Sequence, residues 1–127
     1  MHKLPFSIIT KVVKGKGRGK TLGFPTINFF VEESIPLEHG VYAGYIKFSG
    51  ITYPAAIHFG PRPVFMEEEV TLEAYILSGI PKVTELGEII FEKKLREVKS
   101  FSTKEELVKQ MRQDVKNARR ILEYQKL

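Results

Sequence analysis

From Phe6 to Leu95 the apolar residues come in short runs broken by glycine and proline, and only beyond Ser102 does the period lengthen to that of a helix. That order leaves few folds open. Residues 6–14, 27–31, 41–48, 52–59, 70–77 and 88–95 read as strands. Pro36 and Gly40 bracket the turn before the third, and Gly50 separates the third from the fourth. Gly60-Pro61-Arg62-Pro63 reads as an irregular turn, because neither proline has an N–H to give a ladder. In the fifth run Val70, Leu72, Ala74 and Ile76 share one face, and Thr71, Glu73, Tyr75 and Leu77 share the other. Ser102 followed by Glu105 has the spacing of a capping box. Leu107, Met111, Val115, Ala118 and Leu122 then form one apolar stripe at helical spacing. Strand never alternates with helix, which argues against a Rossmann sheet. The expected fold is mainly β: a small antiparallel barrel of six strands with a packed C-terminal helix, a single domain over residues 1–127.

Between the first two strands lies Gly15-Lys16-Gly17-Arg18-Gly19-Lys20-Thr21-Leu22-Gly23-Phe24-Pro25. Alternating glycines bare the backbone amides, and Lys11, Lys14, Lys16, Arg18 and Lys20 surround them with positive charge. No acid lies between residues 11 and 31, and the whole chain carries +5. The combination suits a phosphate ligand. Two familiar phosphate loops are nevertheless absent. A Walker loop ending at Gly19-Lys20-Thr21 needs glycine at position 14, which is lysine, and Pro25 blocks the helix such a loop must open. The dinucleotide fingerprint fails because the glycines run 15, 17, 19. The loop leads instead into Pro25-Thr26-Ile27-Asn28, where Thr26 and Asn28 point the same way from a strand. Their side-chain oxygens are of the kind Mg²⁺ accepts, so the segment reads as a nucleotide-triphosphate site. The same residues also fit a flexible hairpin with solubilising lysines, its hydroxyl and amide satisfying turn amides. Glu73 likewise has two readings, as a functional carboxylate or as a solvent-facing one after the Glu67-Glu68-Glu69 run.

The remaining inventory mostly excludes. The chain has no cysteine, so disulfides, thiolate catalysis and cysteine-bound metals are ruled out. His2, His39 and His58 show no ligand spacing, and His58 is expected in the core or at the barrel mouth. Phe24, Phe29, Phe30, Tyr42, Tyr45, Phe48, Phe59 and Phe65 are expected mostly inside. No apolar run approaches the roughly 20 residues that span a bilayer, and Met1 opens no signal peptide. A cytoplasmic, soluble protein is the expectation.

Residues 15–28 carry Gly-x-Gly-Arg-Gly and then Leu-Gly-hydrophobic-Pro-Thr-x-Asn, and on these the chain resembles the riboflavin kinases (flavokinases). These enzymes convert riboflavin and ATP into FMN and ADP. Gly40-Val41-Tyr42, Gly60-Pro61-Arg62-Pro63, Leu72-Glu73-Ala74, Leu95-Arg96 and Asp114 with Ala118-Arg119 extend the resemblance over nearly the whole chain. The resemblance implies a six-stranded antiparallel Greek-key barrel with a C-terminal α-helix. It implies that Thr26 and Asn28 bind Mg²⁺ and the nucleotide phosphates, with Gly15, Gly17 and Lys20 in the nucleotide loop. Glu73 would be the general base, and Arg96 would lie in the flap near the flavin. Four departures stand around the flavin side and its flaps: Ile57-His58-Phe59 before the Gly-x-Arg-Pro turn, where the polar residue is often asparagine, Tyr75 in place of histidine, Val98 in place of glutamate, and a segment 78–87 without the usual acidic run. The expectation is a monomeric, monofunctional, Mg²⁺-dependent kinase with no nucleic-acid or membrane partner and no FAD synthesis, since no adenylyltransferase segment precedes it. Two other classes stay open: a basic β-barrel that binds single-stranded nucleic acid, and a flavin-binding regulatory module without turnover.

Overall fold

Alternation decides which face of each strand turns inward, and here it closes a cylinder. The computed structural model describes residues 3–14, 25–61 and 69–125. It contains β1 (Phe6–Val13), β2 (Thr26–Phe29), β3 (Gly40–Phe48), β4 (Ile51–Pro61), β5 (Val70–Ile76), β6 (Leu86–Arg96) and α1 (Lys104–Gln125). The strands form a closed barrel in the order β1-β2-β5-β4-β3-β6, every neighbouring pair antiparallel. β3, β4 and β5 form a meander, and β6 returns beside β3, which is a Greek key. The expected fold class is therefore the observed one.

Ile27, Phe29, Tyr42, Ile46, Phe48, Ile57, Phe59, Leu72, Ile76, Ile89 and Phe91 fill the interior. Burying a side chain of this size stabilises the fold by about 1.5–3 kcal/mol. Tyr42 meets Phe91 edge to face at 5.2 Å, and its hydroxyl donates to the Glu38 carbonyl at 2.6 Å. Burial pushes that phenol above its ordinary pKa. The β3–β4 hairpin turns through Ser49 and Gly50, both with positive φ, as a two-residue primed turn requires. Of the aromatics expected inside, Phe30 is half exposed and Tyr45 packs on the outer face with the helix. Phe24 and Phe65 lie outside the described residues.

The outer face of β3 and β4 is covered as well. Ala43 and Ala56, partners across that ladder, are small enough to let α1 approach. Val115, Ala118 and Leu122 of the predicted stripe pack on them, together with Leu77. Arg119 anchors the helix by donating from Nη2 to the Leu77 carbonyl at 2.9 Å.

Two local expectations are corrected. Gly60 and Pro61 belong to β4, opposite Thr71 and Val70, rather than to an irregular turn. The proline is tolerated because β3 begins at Gly40, opposite Phe59, so beyond that point β4 has no β3 ladder to donate to. The helix cap also shifts by one residue. Thr103 Oγ1, not Ser102, accepts from the Glu106 amide at 3.1 Å, and Ser102 Oγ donates to the Glu106 carboxylate at 3.2 Å. Thr103→Ala should lower stability by about 1 kcal/mol in chemical denaturation, and Ser102→Ala by less.

Candidate active site

Inward apolar positions on β2 and β5 leave the alternate residues on the outer wall, and there the register brings the chemistry together. Ile27 and Phe29 point into the core, so Thr26 and Asn28 point out, both half-buried. Leu72, Ala74 and Ile76 likewise send Glu73 and Tyr75 outward. Asn28 pairs with Glu73, and Glu73 pairs on its other side with His58 of β4. His58 faces Val41 of β3, which faces Arg96 of β6. One transverse row thus runs Asn28, Glu73, His58, Val41, Arg96. Directly opposed side chains in such a row have Cβ atoms about 4.5–5.5 Å apart. Thr26 lies in the next row, opposite Tyr75.

Burial separates the two readings of Glu73. The residue is 3% exposed, so the solvent-facing alternative is wrong despite the acidic run before it. Flanking strands on both sides enclose it, a relation that strand alternation alone does not reveal. Burying a carboxylate costs several kcal/mol unless neighbouring groups compensate, so a fold keeps one in such a place only with support around it. His58, 8% exposed, is buried on the outer face of β4 next to Glu73, near the end of the strand.

Arg96 is engaged. Its Nε donates to Asp114 Oδ1 and its Nη2 to Asp114 Oδ2, both at 2.7 Å, and its Nη1 donates to the Glu97 carbonyl at 2.9 Å. Asp114 is 5% exposed and accepts a further bond from Gln110 Nε2 at 3.1 Å. This fork ties the end of β6 to α1. Asp114 carries no role in the sequence reading beyond a helix match. Its sequence signal is an acid on the apolar side of an amphipathic helix, and nothing there names Arg96 as partner.

Gly15, Gly17 and Lys20, expected in the nucleotide loop, lie outside the described residues. Among the described residues no three His, Cys, Asp or Glu side chains form a metal-binding group, and no helix is long and apolar enough to cross a membrane.

Comparison with known proteins agrees with this geometry. The family model described as Flavokinase: Riboflavin kinase matches residues 2–122. A bifunctional riboflavin kinase/FMN adenylyltransferase of Buchnera aphidicola subsp. Acyrthosiphon pisum is 33% identical over 87% of this chain and 36% of its own. The human riboflavin kinase is 31% identical over 97% of this chain and 84% of its own. The chain therefore spans about a third of the length of the bifunctional relatives and most of the human one. Among solved structures, a riboflavin kinase from Trypanosoma brucei superposes with TM-score 0.65 at 26% identity, covering 94% of this chain and 78% of that one. A Streptococcus pneumoniae structure titled a macrolide-efflux protein gives TM-score 0.75 at 26% identity, covering 91% and 38%.

Proposed function

Because the chain belongs to the riboflavin kinase family, we propose that it transfers the γ-phosphate of ATP to the 5′-hydroxyl of riboflavin, giving FMN and ADP. The observation that carries the reading is the adjacency of Asn28 and Glu73 on β2 and β5, with Thr26 one row away and Glu73 buried. Phosphoryl transfer passes through a loose transition state and asks mainly for positioning and charge neutralisation. A polyphosphate held at Thr26 and Asn28 brings its terminal phosphorus beside the Glu73 carboxylate. The hydroxyl oxygen then forms the new bond to phosphorus, and its proton passes to Glu73. The bond from phosphorus to the bridging oxygen breaks, its electron pair leaving on ADP.

The hydroxyl and amide of Thr26 and Asn28 are hard, neutral oxygen donors. That set would fit Mg²⁺ delivered with a nucleotide, with Thr26 and Asn28 as the residues that would hold it. When bound, the ion neutralises phosphate charge. Gly15, Gly17 and Lys20 are assigned to the phosphate cradle, and Arg96 to the flavin side. The protein is further proposed to act in the cytoplasm as a monomer, without a nucleic-acid or membrane partner.

The test is direct. Incubation with riboflavin, ATP and Mg²⁺ should give FMN and ADP in equal amounts by chromatography. EDTA should reduce the rate to background, and excess Mg²⁺ should restore it. No FMN above background sinks the reading, and undiminished turnover in EDTA removes the metal from it.

A further inference from the structure

Two oxygen donors on one strand give a bound nucleotide its direction. Asn28 stands in the row of Glu73, and Thr26 stands one row away, about 6.5 Å back along β2. In the proposed transfer the terminal phosphorus lies beside Glu73, so the rest of the nucleotide leads away from it, past Thr26. Directly opposite Thr26 on the outer wall is Tyr75 of β5. The next residues in that row are Ala56 of β4 and Ala43 of β3, so Tyr75 is the bulky side chain between Thr26 and β6. It is half-buried and packs against the cluster that Ala43, Ala56 and Leu77 form with α1. The helix thus backs the ring, and Thr26 stands in front of it. The Arg119 bond to the Leu77 carbonyl, two residues beyond Tyr75, holds that backing in place.

We infer that Tyr75 is a nucleotide contact: its ring is the wall on which the nucleoside of the phosphate donor rests, beside the phosphates held at Thr26 and Asn28. The chemistry suits the position. A tyrosine ring offers a large flat apolar face with few torsions to freeze, and a ribose or a base has an apolar face to set against it. By resemblance Tyr75 counts among the departures around the flavin. The register sets it apart from them. Arg96, assigned to the flavin, ends the Glu73 row at β6, whereas Tyr75 belongs to the row of Thr26. No bond forms or breaks at the ring, so it stabilises bound nucleotide and transition state alike. Such a contact shows in KM and not in kcat.

The inference rests on the proposed kinase reaction, so it is tested with one readout that needs turnover and one that does not. Tyr75→Leu keeps an apolar side chain against α1 but removes the ring. Its KM for ATP should rise about tenfold, the low end for an aromatic face lost from a nucleoside, with kcat and KM for riboflavin within about twofold of native. Tyr75→Phe should keep the native values, because the ring and not the hydroxyl makes the contact. An unchanged KM for ATP in Tyr75→Leu, a rise in KM for riboflavin instead, or a fall in kcat together with the melting temperature overturns the proposal. Independently, with Mg·ADP bound to the native chain, NMR should show nuclear Overhauser contacts between nucleoside protons and the Tyr75 ring. Their absence also overturns it. If the native chain makes no FMN while these contacts are present, the kinase reading fails and the nucleotide contact stands. If FMN forms and the contacts are absent, Tyr75 only packs against the helix and the kinase reading stands.

Discussion

Glu73→Gln is expected to lower the rate of FMN formation by about 10²–10⁴-fold while the barrel stays folded and ATP binds within about twofold of the native affinity. Glutamine keeps the length and planarity of the carboxylate between Asn28 and His58, so packing in that row is preserved. What it loses is basicity: an amide cannot take the hydroxyl proton. A loss confined to kcat therefore identifies proton acceptance, since KM for ATP reports contacts made before the transfer. If the variant turns over at the native rate, Glu73 is not the base. If kcat, ATP affinity and melting temperature all fall together, its role is to hold β2, β4 and β5 in place. Glu73→Asp gives a second view, because it keeps the acid but withdraws it by one methylene. Part of the activity should remain, and the stability loss should be small for a site closed by strands on both sides.

Much of this is legible in the sequence because the barrel is built from period-two segments whose inward residues are apolar. The faces of the fifth run and the placing of Thr26 with Asn28 on one side of a strand both come from alternation. What alternation cannot supply is which strands stand side by side. Glu73 comes after three glutamates and so has the sequence context of an exposed residue, yet its partners come from β2 and β4, about 45 and 15 positions away. The same gap hides which neighbours His58 meets, and its outward direction depends on Ile57 and Phe59 occupying the interior. A strand end before Pro61 would hold if β3 continued alongside it, and β3 does not. The capping residue differs by one because Ser102-x-x-Glu105 and Thr103-x-x-Glu106 are equally good boxes in the sequence, and only helix phase separates them. The Arg96–Asp114 fork joins a strand end to a helix across 18 positions, and its two residues carry no local pattern linking them.

That fork supports the other large effect. Asp114→Ala should destabilise the protein by about 3–5 kcal/mol, because it leaves the Arg96 guanidinium, 14% exposed, without its carboxylate partner. For a chain of this length the melting temperature should drop by roughly 10–20 °C. Gln110 loses its acceptor as well, and α1 keeps the Arg119 bond to Leu77 as a polar tie to the barrel. Replacing both charges with apolar side chains of similar volume, Arg96→Met with Asp114→Leu, should recover most of that loss, since desolvation offsets much of the attraction in a buried pair. A double variant as unstable as Asp114→Ala would mean the pair itself, not the stranded charge, holds the helix down. The same double variant also isolates Arg96 from the stability question. With the fold restored and the guanidinium gone, a KM for riboflavin several-fold above native, at unchanged KM for ATP, assigns Arg96 to the flavin side. An unchanged riboflavin KM confines Arg96 to docking α1 against β6.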